Sequence, residues 1–473
     1  MKTITATDYI VICVYLVIML LIGAHFSKRI KDAKTFFTAG NSLTTLVVLA
    51  TTCATMVGGS SLMGRAGLGF TNGIECLVTV VAYMIGMFVF SCLAGKIYDI
   101  GAEHKIYSLP AVFEYRFGSK AKFIVSIMIL LAMIGSMAAQ ISATATVIKL
   151  LGNKIGISYE LGAIISTLIL IIYTGASGLL GVVYTDVIQF VVLILFVYLL
   201  IPAFGIDRLG GLNQFIMNID TQDLIPKIDG RVLGDILSYF VFTMAGTDMW
   251  QRAFAAKNRT VAKRGMLFGT LVYGCCMVMV FVMALVAKQL IPNLIDVYGS
   301  ADAVIPALAV NILPVGCVGL AVAGILSVMM STADSSLLVA VQASVDDLGK
   351  SIFKDISDTK TLKLSRIMTV IIAGGALIIA LYVKSAYGIV TTMFSFYSTS
   401  VGACALASLV WSKETEQGVV ASMIGGFLTC TVWRLLGSPF GIGATLPGIA
   451  VSVLLLITVS LATYKKHPSR ALV

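Results

Sequence analysis

Three short stretches of the chain concentrate groups that could hold a charged or polar ligand. Residues 54–61 read ATMVGGSS, residues 242–250 read FTMAGTDMW and residues 325–336 read ILSVMMSTADSS, each inside a run otherwise apolar enough to cross a bilayer. Gly58 and Gly59 each weaken a helix by about 1 kcal/mol relative to alanine. A break there frees carbonyls that hydrocarbon cannot satisfy. A desolvated Na+ suits those oxygens, since hard cations take oxygen ligands. The competing use of the same glycines and serines is close helix packing. In the third stretch Ser327, Ser331, Thr332, Ser335 and Ser336, with Asp334, place five hydroxyls and a carboxylate within ten residues. Ser331 and Thr332, with residue 328 one turn earlier, line one wedge that can face the 54–61 segment.

Charges inside apolar runs carry a similar message. Asp186, in GLLGVVYTDVIQF (178–190), is an intramembrane carboxylate, which faces a partner or a water-filled path unless it lies near enough to the cytoplasm to stay hydrated. Asp248 is flanked by Gly246, Thr247 and Trp250. It can cap the second half of a broken helix or face a cavity and pair with a cationic or hydroxyl-bearing solute. Asp334 is expected to point to a cytoplasmic vestibule, and Arg65 to reach the outer interface or cap carbonyls there. GASG (175–178) matches the serine motif of intramembrane proteases. A nucleophilic serine needs a general base within reach, and the three histidines (25, 104, 467) fall at predicted span ends. The nine cysteines show no metal-ligand spacing and read as small buried thiols.

The elements that position these groups are membrane helices. Of 473 residues 58% are hydrophobic and 12% charged, against about 45–50% and about 25% in soluble domains. The sequence predicts thirteen spans, near 7–27, 43–70, 74–97, 122–150, 158–175, 182–203, 233–254, 265–288, 316–346, 365–384, 387–411, 417–436 and 446–464. With the N-terminus outside, segments 28–34, 96–122, 252–264, 350–366, 413 and 465–470 are cytoplasmic and hold 23 of the 33 Lys and Arg. That bias sets an outside N-terminus and a cytoplasmic C-terminus in a multi-pass inner (plasma) membrane protein. The net charge of +10 is then topological; it implies no nucleic acid, and nothing implies a protein partner. SLPAVFEYRFG (108–118) predicts a short interfacial helix, with Ser108 as cap, Pro110 early and Gly118 as stop.

The interrupted spans near 43–70 and 233–254 are separated by four others, so each opens a five-span unit and the second unit must run inverted. Paired broken helices in inverted halves point to a transporter binding site. The division expected is an extra helix and basic loop at 1–41, repeat 1 at 42–205, an external loop at 206–231, repeat 2 at 232–411, and two further helices with a tail at 412–473.

FFTAGNSL (36–43), GLLGVVYTDVIQ (178–189), WQRAFAAKN (250–258) and MMSTADSSLL (329–338) together resemble the sodium:solute symporter family, across essentially the whole chain. ATMVGG and MSTADSSLL are most similar to its choline-transporter-like branch. The resemblance implies an all-α membrane fold of the leucine-transporter type, two inverted five-helix repeats with the first helix of each broken. It implies a first Na+ held by the carbonyls of Ala54, Val57 and Val328 and the hydroxyls of Ser331 and Thr332. A second Na+, found in some relatives, would sit at Asp186, Ser331 and Thr332; Val328 replaces a hydroxyl residue of some two-sodium members, which leaves the ion count open. The solute would lie among Thr55, Met56, Gly58, Gly59, Ser60, Ser61, Gln140, Asp248 and Trp250. Choline carriers have an aromatic residue where Met56 stands. Sialic-acid carriers place an arginine on the span of Gln140, so a bulky acidic sugar is not expected here.

The function expected is Na+-coupled import of a small polar solute, an amino acid, organic cation or similar metabolite, by alternating access and without covalent chemistry. The alternative is a sensor or ion channel on the same fold. A channel needs a continuous polar lining, whereas hydroxyls and acids here gather at mid-depth on four spans. A sensor would append an output domain.

Overall fold

The computed structural model describes residues 5–27, 33–152, 156–228, 230–349, 358–383, 386–466 and 468–470. His467, residues 28–32 of the first basic segment and residues 350–357 of the fourth lie outside these. Among the described residues the regular elements are helices, joined by one isolated parallel bridge between Leu43 and Ala256.

Ten helices are long and apolar enough to cross a membrane, eleven if a bent pair counts as one span. Many also present apolar side chains outward, among them Ile10, Leu21, Phe88 and Leu168, as a helix does whose surround is lipid. The chain is a multi-pass membrane protein. The helices used below are α1 (Ala6–Ser27), α2 (Thr45–Met56), α3 (Arg65–Asn72), α4 (Glu75–His104), α5 (Leu109–Phe117), α6 (Ser119–Gly152), α7 (Tyr159–Leu193), α8 (Gly230–Ala245), α9 (Thr247–Ala255), α10 (Arg259–Leu290) and α11 (Cys317–Gln342). Four more apolar helices, Asp358–Tyr382, Ala386–Tyr397, Glu416–Leu435 and Thr445–Thr463, follow.

Two of the thirteen expected spans, 158–175 and the interrupted 233–254, are not single long apolar helices. Residues 158–175 contain a shorter apolar helix, Tyr159–Ile172, which runs on through a kink at Gly178, where φ is 54°. Glycine is needed there because a side chain would be strained at that φ and would meet Phe36 O at 2.7 Å. Residues 233–254 are two helices, α8 and α9, parted at Gly246 (φ −54°, ψ 90°).

Helix α11 packs on α6 and α7, and α2 packs on α7, α10 and α11. The two broken spans are tied end to end, as Leu43 N donates to Ala255 O at 3.2 Å and Lys257 N to Leu43 O at 2.9 Å. Asp8 of α1 accepts from Gly316 N and Gly319 N at 2.8 and 2.9 Å, satisfying amides at the α11 N-terminus that have no partner within the helix. The short helix expected at 108–118 forms as α5, with the Ser108 side chain accepting from Ala111 N at 3.2 Å and Gly118 stopping it at φ 108°.

Candidate functional site

The GGSS segment does break its helix. Helix α2 ends at Met56, Val57 is extended (φ −88°, ψ 92°), and the chain resumes as π-helix at Ser60–Gly64 with the axis turned by 61°. The packing role of the glycines holds as well. A Cβ on Gly59 would lie 2.7 Å from Ala143 Cβ, and one on Gly58 would lie 3.1 Å from Gln140 Nε2 and 3.2 Å from Thr332 Oγ1. Gln140 Oε1 accepts from the Gly59 amide at 2.6 Å, so α6 supplies a bond that the interrupted helix lacks.

A helix C-terminus leaves its last carbonyls without amide partners, and α11 brings hydroxyls to them. Ser331 Oγ lies 2.9 Å from Ala54 O and 3.2 Å from Val328 O. Thr332 Oγ1 lies 3.3 Å from Thr55 O, 3.3 Å from Val57 O and 3.2 Å from Val328 O. All five residues expected at the first ion site are thus brought together, and Thr55 adds a carbonyl not foreseen. Two hydroxyl protons face four carbonyl oxygens, and the Thr332 contacts exceed the usual O–H···O range of about 2.5–3.0 Å. Acceptors outnumber donors there, an arrangement suited to a small hard cation.

The second break is closed differently. Trp250 Nε1 donates to Met244 O at 2.9 Å, and the Tyr397 hydroxyl reaches Ala245 O and Thr247 Oγ1, each at 2.8 Å. Fixed aromatic side chains saturate the carbonyls at α8, whereas small hydroxyls leave those at α2 in excess. Trp250, expected to contact solute, is fully buried in this structural role and does not line the cavity described next.

Between the two breaks lies a small cavity of about 50 Å³, room for a few waters. The first break contributes Thr55, Met56, Gly58, Ser60 and Ser61, and Gln140 and Asp248 complete the expected set that lines it. Gly59 does not, since its amide and Cα face α6. Asp248 lines the cavity, the second of the roles foreseen for it, and lies in the first turn of α9, whose cap position is Gly246. The sequence reading missed Tyr83, Tyr239, Tyr273 and Phe394 in the wall; a lone tyrosine in an apolar span was the available signal.

Three charged residues lie elsewhere than expected. Arg65 lines this cavity at 4% exposure, donating to Cys76 O at 3.1 Å and Thr79 Oγ1 at 2.6 Å. Carbonyl capping was foreseen, but not its place in the site. Asp334 is wholly buried rather than facing a vestibule. Arg252, counted among the cytoplasmic charges, is also wholly buried. It lies 3.4 Å from Asp186 Oδ2 and donates to Thr51, Thr55 and Ser335. Asp186 also accepts from Thr51. It is therefore buried and paired with Arg252, not exposed at the cytoplasmic end of its span.

The model of the sodium:solute symporter family matches residues 36–426. The chain is 25% identical over 479 residues to the osmoregulated proline transporter OpuE of Bacillus subtilis, covering 97% of this chain and 95% of that one. It is 26% identical over 481 residues to the sodium/proline symporter of Escherichia coli, at 97% and 93% coverage. Against the sodium/pantothenate symporter of Haemophilus influenzae it is 28% identical over 431 residues, at 87% and 87%. These relatives carry proline and pantothenate in their names rather than choline. Among solved structures, a Na+-coupled sialic acid symporter in a substrate-bound outward-open state superposes with a TM-score of 0.85 at 19% identity, covering 99% of both chains. A nucleobase-cation-symport-1 family transporter gives 0.61 at 13%, covering 92% and 95%. Both speak for the fold alone.

Proposed function

The chain belongs to the sodium:solute symporter family, and from that premise we propose how its residues divide the work. It is a Na+-coupled symporter of a small organic solute and not an enzyme. A sensor or channel reading is not favoured.

The Na+ that travels with the solute is held by the carbonyls of Ala54, Val57 and Val328 and the hydroxyls of Ser331 and Thr332, with Thr55 O beside them. The observation that carries this is the excess of carbonyl oxygens over hydroxyl protons between α2 and α11. The solute occupies the cavity between the breaks. External Na+ holds the broken α2 against α11 and completes that cavity; solute binding then lets the bundle rock inward, and low cytoplasmic Na+ favours release. Each charge crossing 100 mV supplies about 2.3 kcal/mol, roughly fifty-fold accumulation.

The layout proposed remains thirteen spans, with inverted repeats at 42–205 and 232–411 and flanking helices at 1–41 and 412–473. Two features support it: a break lies in the first helix of each unit, and the start of one broken span bonds to the end of the other at Leu43 and Ala256. The N-terminus is placed outside, on the bias of Lys and Arg; losing Arg252 from the cytoplasmic tally leaves that bias in place.

The test is 22Na+ binding to purified protein. Saturable binding is expected, weakened by Ser331→Ala and Thr332→Ala; equal binding by wild type and both variants would remove the site.

A further inference from the structure

A second cavity, of about 180 Å³, lies behind the first helix break. From its lining we infer that it binds one hydrocarbon chain of a bilayer lipid, entering between α1 and α7 with its tip against Met329.

The wall asks for nothing polar. Among its described residues the polar side chains are Tyr9, Gln140, Thr144 and Ser166, and each has a partner inside the protein. Tyr9 Oη donates to Leu151 O at 2.9 Å, Thr144 Oγ1 to Gln140 O at 2.8 Å and Ser166 Oγ to Ala163 O at 2.9 Å, while Gln140 Oε1 accepts from the Gly59 amide. The remaining surface is apolar, with Ile141, Leu326 and Met329 at its deepest part. Water would find too few partners there. Apolar cavities of about 150 Å³ stay dry yet take up benzene.

The way in faces lipid. Ile12 and Leu16 of α1 and Ile165 and Ile169 of α7 line the cavity and are partly exposed, whereas Ile141, Leu326 and Met329 are buried. The opening therefore lies between α1 and α7. Beside it the same helices turn Ile10, Val14, Leu161, Ile164 and Leu168 outward, the band that meets hydrocarbon. At one end of the opening the Tyr9–Leu151 bond ties α1 to the last turn of α6.

Dispersion favours filling the space with a lipid chain. Moving from bilayer to cavity uncovers no apolar surface to water, so the hydrophobic effect is indifferent and packing decides. With the space vacant, its lining atoms lack partners on one side, and a chain supplies them. Lipid chains surround the opening at all times, whereas a free apolar solute must first partition to it. The tip of such a chain meets the support of the first break. Gln140 lines this cavity and the solute cavity alike, and Met329 Cγ would lie 3.2 Å from a Cβ on Gly59. An apolar site and a polar site thus share one wall.

The experiment uses purified full-length protein in nanodiscs of phosphatidylethanolamine and phosphatidylglycerol, doped with a phospholipid that carries a diazirine at one chain end. After irradiation, adducts are mapped by peptide mass spectrometry. Leu326 or Met329, which the bilayer reaches in no other way, should be labelled together with Ile165 or Ile169. Ile169→Trp, which blocks the opening, and Leu326→Phe, which fills the floor, should each lower Met329 labelling at least about ten-fold, because the larger side chain takes the space of the lipid chain. Adducts on Phe88, on the outer surface of α4, should match the wild type and so report that each variant is folded. The proposal falls if neither Leu326 nor Met329 is labelled in the wild type, or if both variants are labelled at Met329 as strongly as the wild type. A free phenyl diazirine that marks Met329 where the lipid chain does not would assign the cavity to a soluble apolar molecule and overturn the lipid reading. These readouts involve neither Na+ nor solute, so the site stands or falls apart from the symport assignment.

Discussion

The guanidinium of Arg252 lies 3.4 Å from the carboxylate of Asp186, and neither side chain has exposed surface. Among the described residues Asp186 Oδ1 has no hydrogen-bond partner, so Arg252 and Thr51 are what offset the carboxylate's desolvation. Removing one member of such a pair leaves an uncompensated buried charge and costs about 3–5 kcal/mol, whereas removing both costs far less. Asp186→Asn and Arg252→Gln should each lower the melting temperature, and the double variant should recover most of the loss. Equal losses that simply add would show that the two side chains act separately.

Replacing Ser331 or Thr332 with alanine removes one oxygen from the ion cage. Contacts of a hydroxyl with a charged partner are worth about 1.5–3 kcal/mol, so the Na+ concentration for half-maximal uptake should rise about ten- to a hundred-fold. Expression and the Na+-free melting temperature should change little. Uptake titrated against Na+ reads the result.

Gln140 holds the break open by accepting from the Gly59 amide at 2.6 Å. Gln140→Leu leaves that amide buried without an acceptor, at about 1–3 kcal/mol, and should lower both thermal stability and transport. Gln140→Glu keeps an acceptor and should retain the stability.

Trp250 is bonded to Met244 O and lies off the cavity. Trp250→Phe should destabilise by about 1–3 kcal/mol through the orphaned carbonyl, yet leave solute affinity unchanged. A fall in affinity without a fall in melting temperature would return Trp250 to the binding site.

Outside the spans, Glu414 is wholly buried 3.7 Å from Arg116. Burial raises its carboxyl well above the ordinary value of 4.5, with Arg116 opposing. The folded state therefore prefers the protonated acid. Its contribution to stability is full below the ordinary value and is lost as pH rises through the raised one. Melting temperatures of wild type and Glu414→Gln should coincide at low pH, and the wild type should fall below the variant as pH rises from about 4.5; parallel curves would show that Glu414 does not titrate there.

What could be read from the chain alone follows from local rules. Gly58–Gly59 and Gly246 mark helix breaks because glycine weakens any helix, and hydroxyls at 331 and 332 share a wedge because helical spacing requires it. Ser108, Pro110 and Gly118 delimit α5 by the chemistry of helix ends. Arg252 escaped such rules. In sequence it stands with Lys257 and Arg259 and looks like a loop cation, and only the packing of α2, α7 and α9 gives it Asp186. Arg65 likewise needed α4 to turn it inward, away from the surface that charge alone favours. Trp250 and Tyr397 are 147 residues apart in the numbering and meet over one set of orphaned carbonyls. Sequence thus determined where the backbone breaks and which atoms that exposes. Tertiary structure decided which distant side chains fill each gap, because pairing of buried charges and carbonyls depends on neighbours that no local pattern encodes.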